Sequence, residues 1–498
     1  MQAVWRYSPS VRTSLTFLGI AVLCLIFADI SISTVNPWTE MGRLLLGIVT
    51  PDFLATDSLL NAVLQTIAFA ILGVVVGNIA GFFLALVFHF RSVRVGCAFV
   101  RAIHELFWAL IFLQIFGLSP ITGILAIGIP YAGIIAKVYA EIMEEADTTP
   151  LKSVPPGSTA ASVFIFVRLP DVWAHFKTYS LYRLECGLRS SAILGFVGLP
   201  TLGYYLETAF RQGQYSEVSA LLILFYIVIA TMRVWMRRNL LPLYVLAAIL
   251  LLPWGASEIY ADNIVRFFTQ DIVPQPLREG VFDATALAGF WDWLSVLFVE
   301  QALPGAIDTL QLTMIALVAT GVLALIFFPL LSPLFFGRGG RLGGHVFLVI
   351  VRSTPEYILA YVCLQLWGPS MLPAIIALSL HNGAIIAHLI GRYTEHMKVR
   401  VDAPRGLNLY FYESVPRVYG QLLAFLFYRW EVILRETAIL GMLGIATLGF
   451  YVDSAFADIR LDRALVLILF TAGLNICVDA LSRHIRARLR LKTTIEHG

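Results

Sequence analysis

Apolar stretches of about 20 residues, each long enough to cross a bilayer as a helix, alternate along this chain with short polar segments. They predict spans at residues 14–32, 59–88, 102–117, 121–143, 187–207 and 218–234 in the first half. The second half gives 240–256, 305–335, 345–367, 371–391, 433–452 and 464–480. The expected fold is therefore all-α, a polytopic membrane protein of about 12 transmembrane helices. The run from Ser14 to Ile32 lacks a small-residue cleavage site and is followed by further spans. It is read as a retained first helix, with a cleaved secretory signal as the alternative.

Charge orients these spans, because short cytoplasmic loops accumulate Lys and Arg. Arg6 and Arg12 precede the first span, Arg91 and Arg94 follow the second, and Arg233, Arg237 and Arg238 follow the sixth. Arg338 and Arg341 follow the second span of the later half, and Arg483, Arg486, Arg488, Arg490 and Lys492 follow its last. All lie on one side if both termini are cytoplasmic. The other side then holds acidic or mixed loops at 207–217 and 453–462 and a longer segment at 257–304.

Composition agrees with a lipid solvent: 59% of the 498 residues are hydrophobic and 13% are charged, against roughly 25% charged in a soluble domain. A net charge of +3, with basic residues grouped at span ends, gives no nucleic-acid surface. Cys24, Cys97, Cys186, Cys363 and Cys477 show neither metal-ligand nor disulfide spacing. No His-Glu-x-x-His motif occurs, so no metal, cofactor or catalytic residue is expected. The absence of a Gly-x-x-x-x-Gly-Lys-Ser/Thr loop assigns any ATP hydrolysis to another chain.

Internal repetition sets the domain organisation. At an offset of 246, Leu181–Phe210 and Phe427–Phe456 share 16 identities in 30 positions. At an offset of 251, Arg101, Glu105, Gln114 and Gly117 align with Arg352, Glu356, Gln365 and Gly368, and Ile134-Ile135-Ala136 with Ile385-Ile386-Ala387. The chain divides into units 1–238 and 239–498. Each has an even number of spans, so the repeats should run parallel about an axis near the membrane normal. Each unit also carries a long polar stretch between its fourth and fifth spans, at 144–177 and 392–416.

Two segments carry a family resemblance. Arg101–Glu144, with Glu105-Leu106-Phe107-Trp108-Ala109-Leu110-Ile111-Phe112 and Gly133-Ile134-Ile135-Ala136-Lys137, resembles the phosphonate-type ABC transporter permeases. So does Leu181–Tyr204, where Tyr-Arg-x-Glu precedes Arg189 and Ile193-Leu194-Gly195-Phe196-Val197-Gly198. The resemblance implies a type I ABC importer transmembrane domain, with two permease units fused in one chain. It implies two ATPase (nucleotide-binding) subunits and a periplasmic or surface-anchored substrate-binding protein as partners, in a bacterial inner (plasma) membrane. A small phosphorus oxyanion is the implied substrate: phosphonate, phosphite, phosphate or hypophosphite. The halves would rock as rigid bodies, driven through cytoplasmic coupling loops.

The coupling loop is carried over onto Gly157, thirteen residues before Pro170 in Val167-Arg168-Leu169-Pro170, and onto Gly406, ten residues before Pro416. Both copies depart from the family pattern. Pro155-Pro156 stands where a helix should continue, which two prolines would disrupt, and the second spacing is three residues short.

Candidate pathway residues each have two readings. Glu105 and Glu356 are costly at membrane depth and would face protein or a cavity, or they pair with Arg101 and Arg352 at i,i+4 on one helix. Arg183, Glu185 and Arg189, with Arg429, Glu431 and Arg435, enter the fifth span of each half. Their guanidinium forks suit a phosphoryl oxyanion, or they mark a cytoplasmic helix end. His381 and Asn382, opposite Pro130 and Tyr131 in the repeat, line a cavity or satisfy one another between helices. Lys137 and His388 are read as snorkelling to the interface. Gly195, Gly198 and Gly203, repeated at Gly441, Gly444 and Gly449, permit close helix approach or form a hinge. The alternative class is a secondary transporter of two parallel six-helix halves. Its long cytoplasmic loop would fall between the halves, where this chain has only the short junction at 238–241.

Overall fold

A computed structural model describes residues 8–34, 36–147, 149–155, 157–255, 260–278, 283–395, 397, 399–400 and 402–491. Arg6, Pro156 and Lys492 lie outside the described residues, as do the side chains of Arg233 and Arg238. Among the described residues there is no strand. The first helices are α1 (Pro9–Phe27), α2 (Pro37–Val49), α3 (Leu59–Leu86), α4 (Arg91–Ala102), α5 (Glu105–Phe116) and α6 (Pro120–Glu145). Next come the short α7 (Ala160–Val163), α8 (Leu169–Ile193), α9 (Leu202–Arg211), α10 (Tyr215–Trp235), α11 (Leu241–Leu251) and the short α12 (Ala261–Arg266). The remainder are α13 (Ala284–Leu297), α14 (Leu303–Phe327), α15 (Arg338–Ser353), α16 (Glu356–Trp367) and α17 (Met371–Glu395). The short α18 (Leu407–Leu409), α19 (Val415–Met442), α20 (Leu448–Ala457) and α21 (Leu461–Arg488) complete the order.

The elements keep the two sequence offsets. Helices α5 and α6 start 251 residues before α16 and α17, and α8, α9 and α10 start 246 residues before α19, α20 and α21.

Seven helices are long and apolar enough to cross a membrane, and two bent pairs raise the number to nine among the described residues. The expected 12 differ for local reasons. The run at 102–117 is α5 alone, meeting α4 at a 90° bend, and its counterpart α16 meets α15 at 92°. The run at 187–207 is the end of α8, a 3-10 turn and α9, broken where Gly198 takes φ +89. The run at 433–452 breaks the same way, with Gly444 at φ +85. The run at 240–256 shortens to the 11 residues of α11. The described residues of the segment at 257–304, expected as a loop, are largely helical. Asp283 caps α13, its carboxylate accepting from Ala286 N at 2.7 Å, and the helix continues through α14.

The long polar loops are also shorter than expected, because Pro170 and Pro416 sit inside helical runs. A proline in a helix withholds its N–H and crowds the carbonyl four residues back. Here a single π turn immediately precedes each, at Phe164–Arg168 and Tyr410–Ser414. Leu169 N donates to Phe164 O and Val415 N to Tyr410 O, five residues back. Pro304 has the same device, with Leu303 N donating to Phe298 O.

The chain forms two compact units, Gly42–Ile272 and Met1–Met41 with Val273–Gly498. This partition differs from the sequence repeat. Helix α1, from the first half, packs in the second of these units against α14 and α19. There Phe17 meets Phe427 and Trp430 edge-on at 5.2 and 5.3 Å, and Tyr419 Oη donates to Ser14 Oγ at 2.6 Å. Helix α11, from the second half, packs on α3 in the other unit.

The core of Gly42–Ile272 is the α3–α6 contact. Gly73, Gly77 and Gly81 recur every fourth residue on α3, so they share one face. A Cβ at each would stand 2.7 Å from Ile127 Cβ, 2.8 Å from Tyr131 Cβ and 2.8 Å from Ile135 Cβ respectively. This small-residue seam lets the two backbones approach closely and fixes Tyr131 on the buried side of α6.

Candidate functional site: buried polar clusters on equivalent helices

In each unit, the bend before α5 or α16 places a glutamate at the first helical residue. His104 and Pro355, the residues at the bends, are extended (ψ 145 and 144). The positive dipole end of the helix favours a carboxylate there, and at α5 the His104 side chain caps the helix, its Nδ1 accepting from Leu106 N at 3.1 Å. Because Arg101 and Glu105 lie on helices bent by 90°, the i,i+4 geometry of one continuous helix is absent, and likewise for Arg352 and Glu356.

In the unit Gly42–Ile272 the glutamate ends a hydrogen-bonded chain. Ser190 Oγ donates to Glu105 Oε1 at 2.9 Å, and Tyr131 Oη lies 3.1 Å from Ser190 Oγ. With the serine hydroxyl donating to Glu105, the tyrosine hydroxyl is left to donate to Ser190 Oγ. His104 Nε2 is 4.0 Å from Glu105 Oε2. The Arg183 guanidinium stacks over Tyr131, Tyr179 and Tyr182 at 5.5, 5.2 and 5.7 Å, and its Nε donates to Tyr179 Oη at 2.8 Å.

The other unit uses the equivalent positions with different chemistry. Asn382, at the Tyr131 position, donates through Nδ2 to Glu436 Oε2 at 2.9 Å and accepts at Oδ1 from Arg429 Nη1 at 3.2 Å. Glu436 stands at the Ser190 position. His381, at the Pro130 position, has Nδ1 2.9 Å from Thr354 O and Nε2 3.9 Å from Glu356 Oε2. Glu356, His381, Asn382 and Glu436 are each at least nine-tenths buried.

The candidate residues thus converge within each unit: Glu105 with Arg183 through Tyr131 and Ser190, and Glu356 and His381 with Asn382 and Arg429 through Glu436. Glu185, Arg189, Glu431 and Arg435 lie half-buried along α8 and α19, within these helices and not at their entrances. Arg189 Nη2 is 3.7 Å from Cys186 Sγ. Lys137 Nζ reaches Glu141 Oε1 at 3.6 Å and is partly exposed, whereas His388 is buried beside His345 at 5.5 Å and does not snorkel. Ser190 and Glu436 were not foreseen. The signal available was a position inside the most similar stretch of the repeat where the two copies differ by a charge.

The coupling-loop candidates lie away from these clusters in the chain. Gly157 and Gly406 both have positive φ, +90 and +65. The three-residue difference in spacing falls between each glycine and its π turn: Ser158–Val163 in the first copy, Leu407–Leu409 in the second. The helix before Pro155 is only a 3-10 turn, Thr149–Ser153.

The repeated glycines are packing and turn residues. A Cβ at Gly195 would stand 2.1 Å from Tyr204 N, and one at Gly441 2.1 Å from Phe450 N. Gly198 and Gly444 supply the left-handed turns between them.

No protein-family profile matches the chain, and no solved structure matches it significantly. Relatives do. The phosphate-import permease protein PhnE of Mycolicibacterium smegmatis is 25% identical over 421 residues, 80% of this chain and 77% of that protein. An alignment of that extent crosses both halves. The phosphite transport system permease protein PtxC of Stutzerimonas stutzeri is 30% identical over 183 residues, 35% of this chain and 66% of that protein. The chain belongs to the phosphonate-type ABC transporter permeases. As a permease of this family it is a multi-pass transport protein and not an enzyme.

Proposed function

We propose that this permease imports phosphonate or a related small phosphorus oxyanion (phosphite, phosphate or hypophosphite), driven by two separate ATPase subunits and supplied by an external substrate-binding protein. The observation that carries the reading is similarity to phosphate- and phosphite-transport permeases, including one alignment that spans both halves. The second relative is matched over two thirds of its own length by about a third of this chain, which favours two permease units, 1–238 and 239–498, joined covalently. The membrane is the bacterial inner membrane, with both termini cytoplasmic.

Coupling runs through Gly157, Leu169 and Pro170 and through Gly406 and Pro416. In both copies a positive-φ glycine leads through a π turn into the long helix that carries the arginine of the buried cluster. A rigid helix from the cytoplasmic loop to the cluster gives ATP-driven motion a direct mechanical route. Glu105, Arg183, Glu185 and Arg189, with Glu356, His381, Asn382, Arg429, Glu431 and Arg435, supply the polar groups at membrane depth past which the anion moves. High affinity at these groups is unnecessary, because the binding protein can select the substrate.

The test is uptake in cells whose other phosphorus-uptake routes are deleted, carrying this permease with its ATPase and binding protein. Growth on one of the four oxyanions as sole phosphorus source, lost when the permease is removed, is the expected result. Growth on none of them refutes the substrate class.

A further inference from the structure

The unit containing α16, α17 and α19 holds two carboxylates and an imidazole where its counterpart holds one carboxylate and, from the residue before it, the His104 imidazole. Donor atoms of Glu356, His381 and Glu436 all lie within 4.8 Å of one another. At the equivalent positions the other unit has Glu105, Pro130 and Ser190. Both replacements, proline against histidine and serine against glutamate, add a metal-type donor, and both additions point to the same place.

We propose that Glu356, His381 and Glu436 bind a divalent first-row metal ion, zinc or manganese, as a two-carboxylate, one-histidine site. The imidazole is already oriented for it. Thr354 O can only accept, so Nδ1 carries the proton, and in the neutral ring the lone pair is on Nε2, which faces Glu356. A backbone carbonyl holding the remote nitrogen is the usual second support of a metal-bound histidine. Glu436 is steadied in turn by Asn382 Nδ2, itself held by Arg429. Oxygen and imidazole donors suit these ions.

Spacing is compatible with closure. Bonds of about 2.0–2.2 Å put donor atoms around a common zinc roughly 3.3–3.5 Å apart, so the donors, now within 4.8 Å of one another, need draw in by at most about 1.5 Å. Charge points the same way. A cation or a shared proton between them would offset the repulsion of two adjacent buried carboxylates. The sequence gives no warning of such a site, because the three donors come from three helices with no motif spacing.

The test uses the full chain, tag removed, in nanodiscs after chelator treatment. Zn²⁺ and Mn²⁺ affinity are measured by competition with a fluorescent chelator, and stoichiometry by elemental analysis. One ion per chain is expected, with affinity falling about 100-fold or more in His381→Gln and in Glu436→Gln, since loss of a ligand should exceed the 10- to 100-fold cost of losing a second support. Glu105→Gln should leave the affinity unchanged. Pulsed EPR of Mn²⁺ bound to the unmodified protein should show one imidazole nitrogen, a readout that does not depend on the variants folding. No stoichiometric ion, affinity unchanged in both cluster variants, or no nitrogen coupling would each overturn the proposal and leave a carboxylate pair sharing a proton. None of these readouts depends on which solute the permease carries.

Discussion

Replacing Gly77 with alanine separates two opposing effects of a helical glycine. In a helix with open space around it, glycine to alanine stabilises by about 0.8–1 kcal/mol, because alanine loses less backbone entropy. At Gly77 the added Cβ would stand 2.8 Å from Tyr131 Cβ and 3.2 Å from Gly128 O. Carbon atoms prefer about 3.5–4.0 Å, so α3 and α6 must part by roughly 1 Å at that point. Parting also strains the 3.1 Å contact of Tyr131 Oη with Ser190 Oγ. Overpacking of a tight contact costs about 1–3 kcal/mol, which outweighs the entropic gain, and Gly77→Ala is expected to be net destabilising by up to about 2 kcal/mol. Gly420, within α19, has nothing within 4 Å of its would-be Cβ, and Gly420→Ala should stabilise. The assay is the thermal unfolding midpoint of the two variants and the parent in the same nanodiscs. Opposite shifts are expected. Equal shifts of the same sign would refute the close-packing account of the α3–α6 seam.

Three further outcomes follow from particular residues. Gly406 has φ +65 and ψ −134, a region only glycine occupies without about 1–3 kcal/mol of strain; Gly406→Ala should lower substrate-stimulated ATP hydrolysis while the elution profile of the assembled transporter stays unchanged. Arg183→Lys keeps the charge but loses the planar stack on three tyrosines, and should cost about 1–2 kcal/mol, read from the unfolding midpoint. Cysteines placed at Arg94 and Asp458, in a background lacking the five native cysteines, should react with an impermeant thiol reagent only from the cytoplasmic and only from the external side respectively; reaction from the same side would reverse the orientation drawn from the arginine-rich loops.

Much of this organisation was legible in the chain. Hydrophobic length gave α3, α6, α10 and α17 nearly to their ends, because a helix in lipid must satisfy its own backbone and needs a minimum apolar length. The identities at offset 246 anticipated the matched α9 and α20, and the glycine pairs that wedge each against the preceding helix. Breaks were harder to see. Ile103-His104 carries no strong breaker, yet α4 and α5 meet there at 90°, since tertiary packing decided it. Pro170 and Pro416 read as loop ends, but a π turn absorbs each proline within a helix. The buried clusters were half visible: charge placed Glu105, Arg183, Glu356 and Arg429 as candidates, while Ser190 and Glu436 emerged only when three helices were brought together. The packing of α1 against α14 and α19 has no local signature, because it joins residues hundreds of positions apart.

The measurement closest to the central claim is solute uptake into proteoliposomes containing this permease and its ATPase, with the binding protein and one labelled phosphorus oxyanion outside and ATP inside. The account predicts uptake that requires internal ATP and the binding protein, persists when ion gradients are collapsed, and falls when Gly157 and Gly406 are both replaced. Uptake that proceeds without ATP and follows an imposed ion gradient would contradict it.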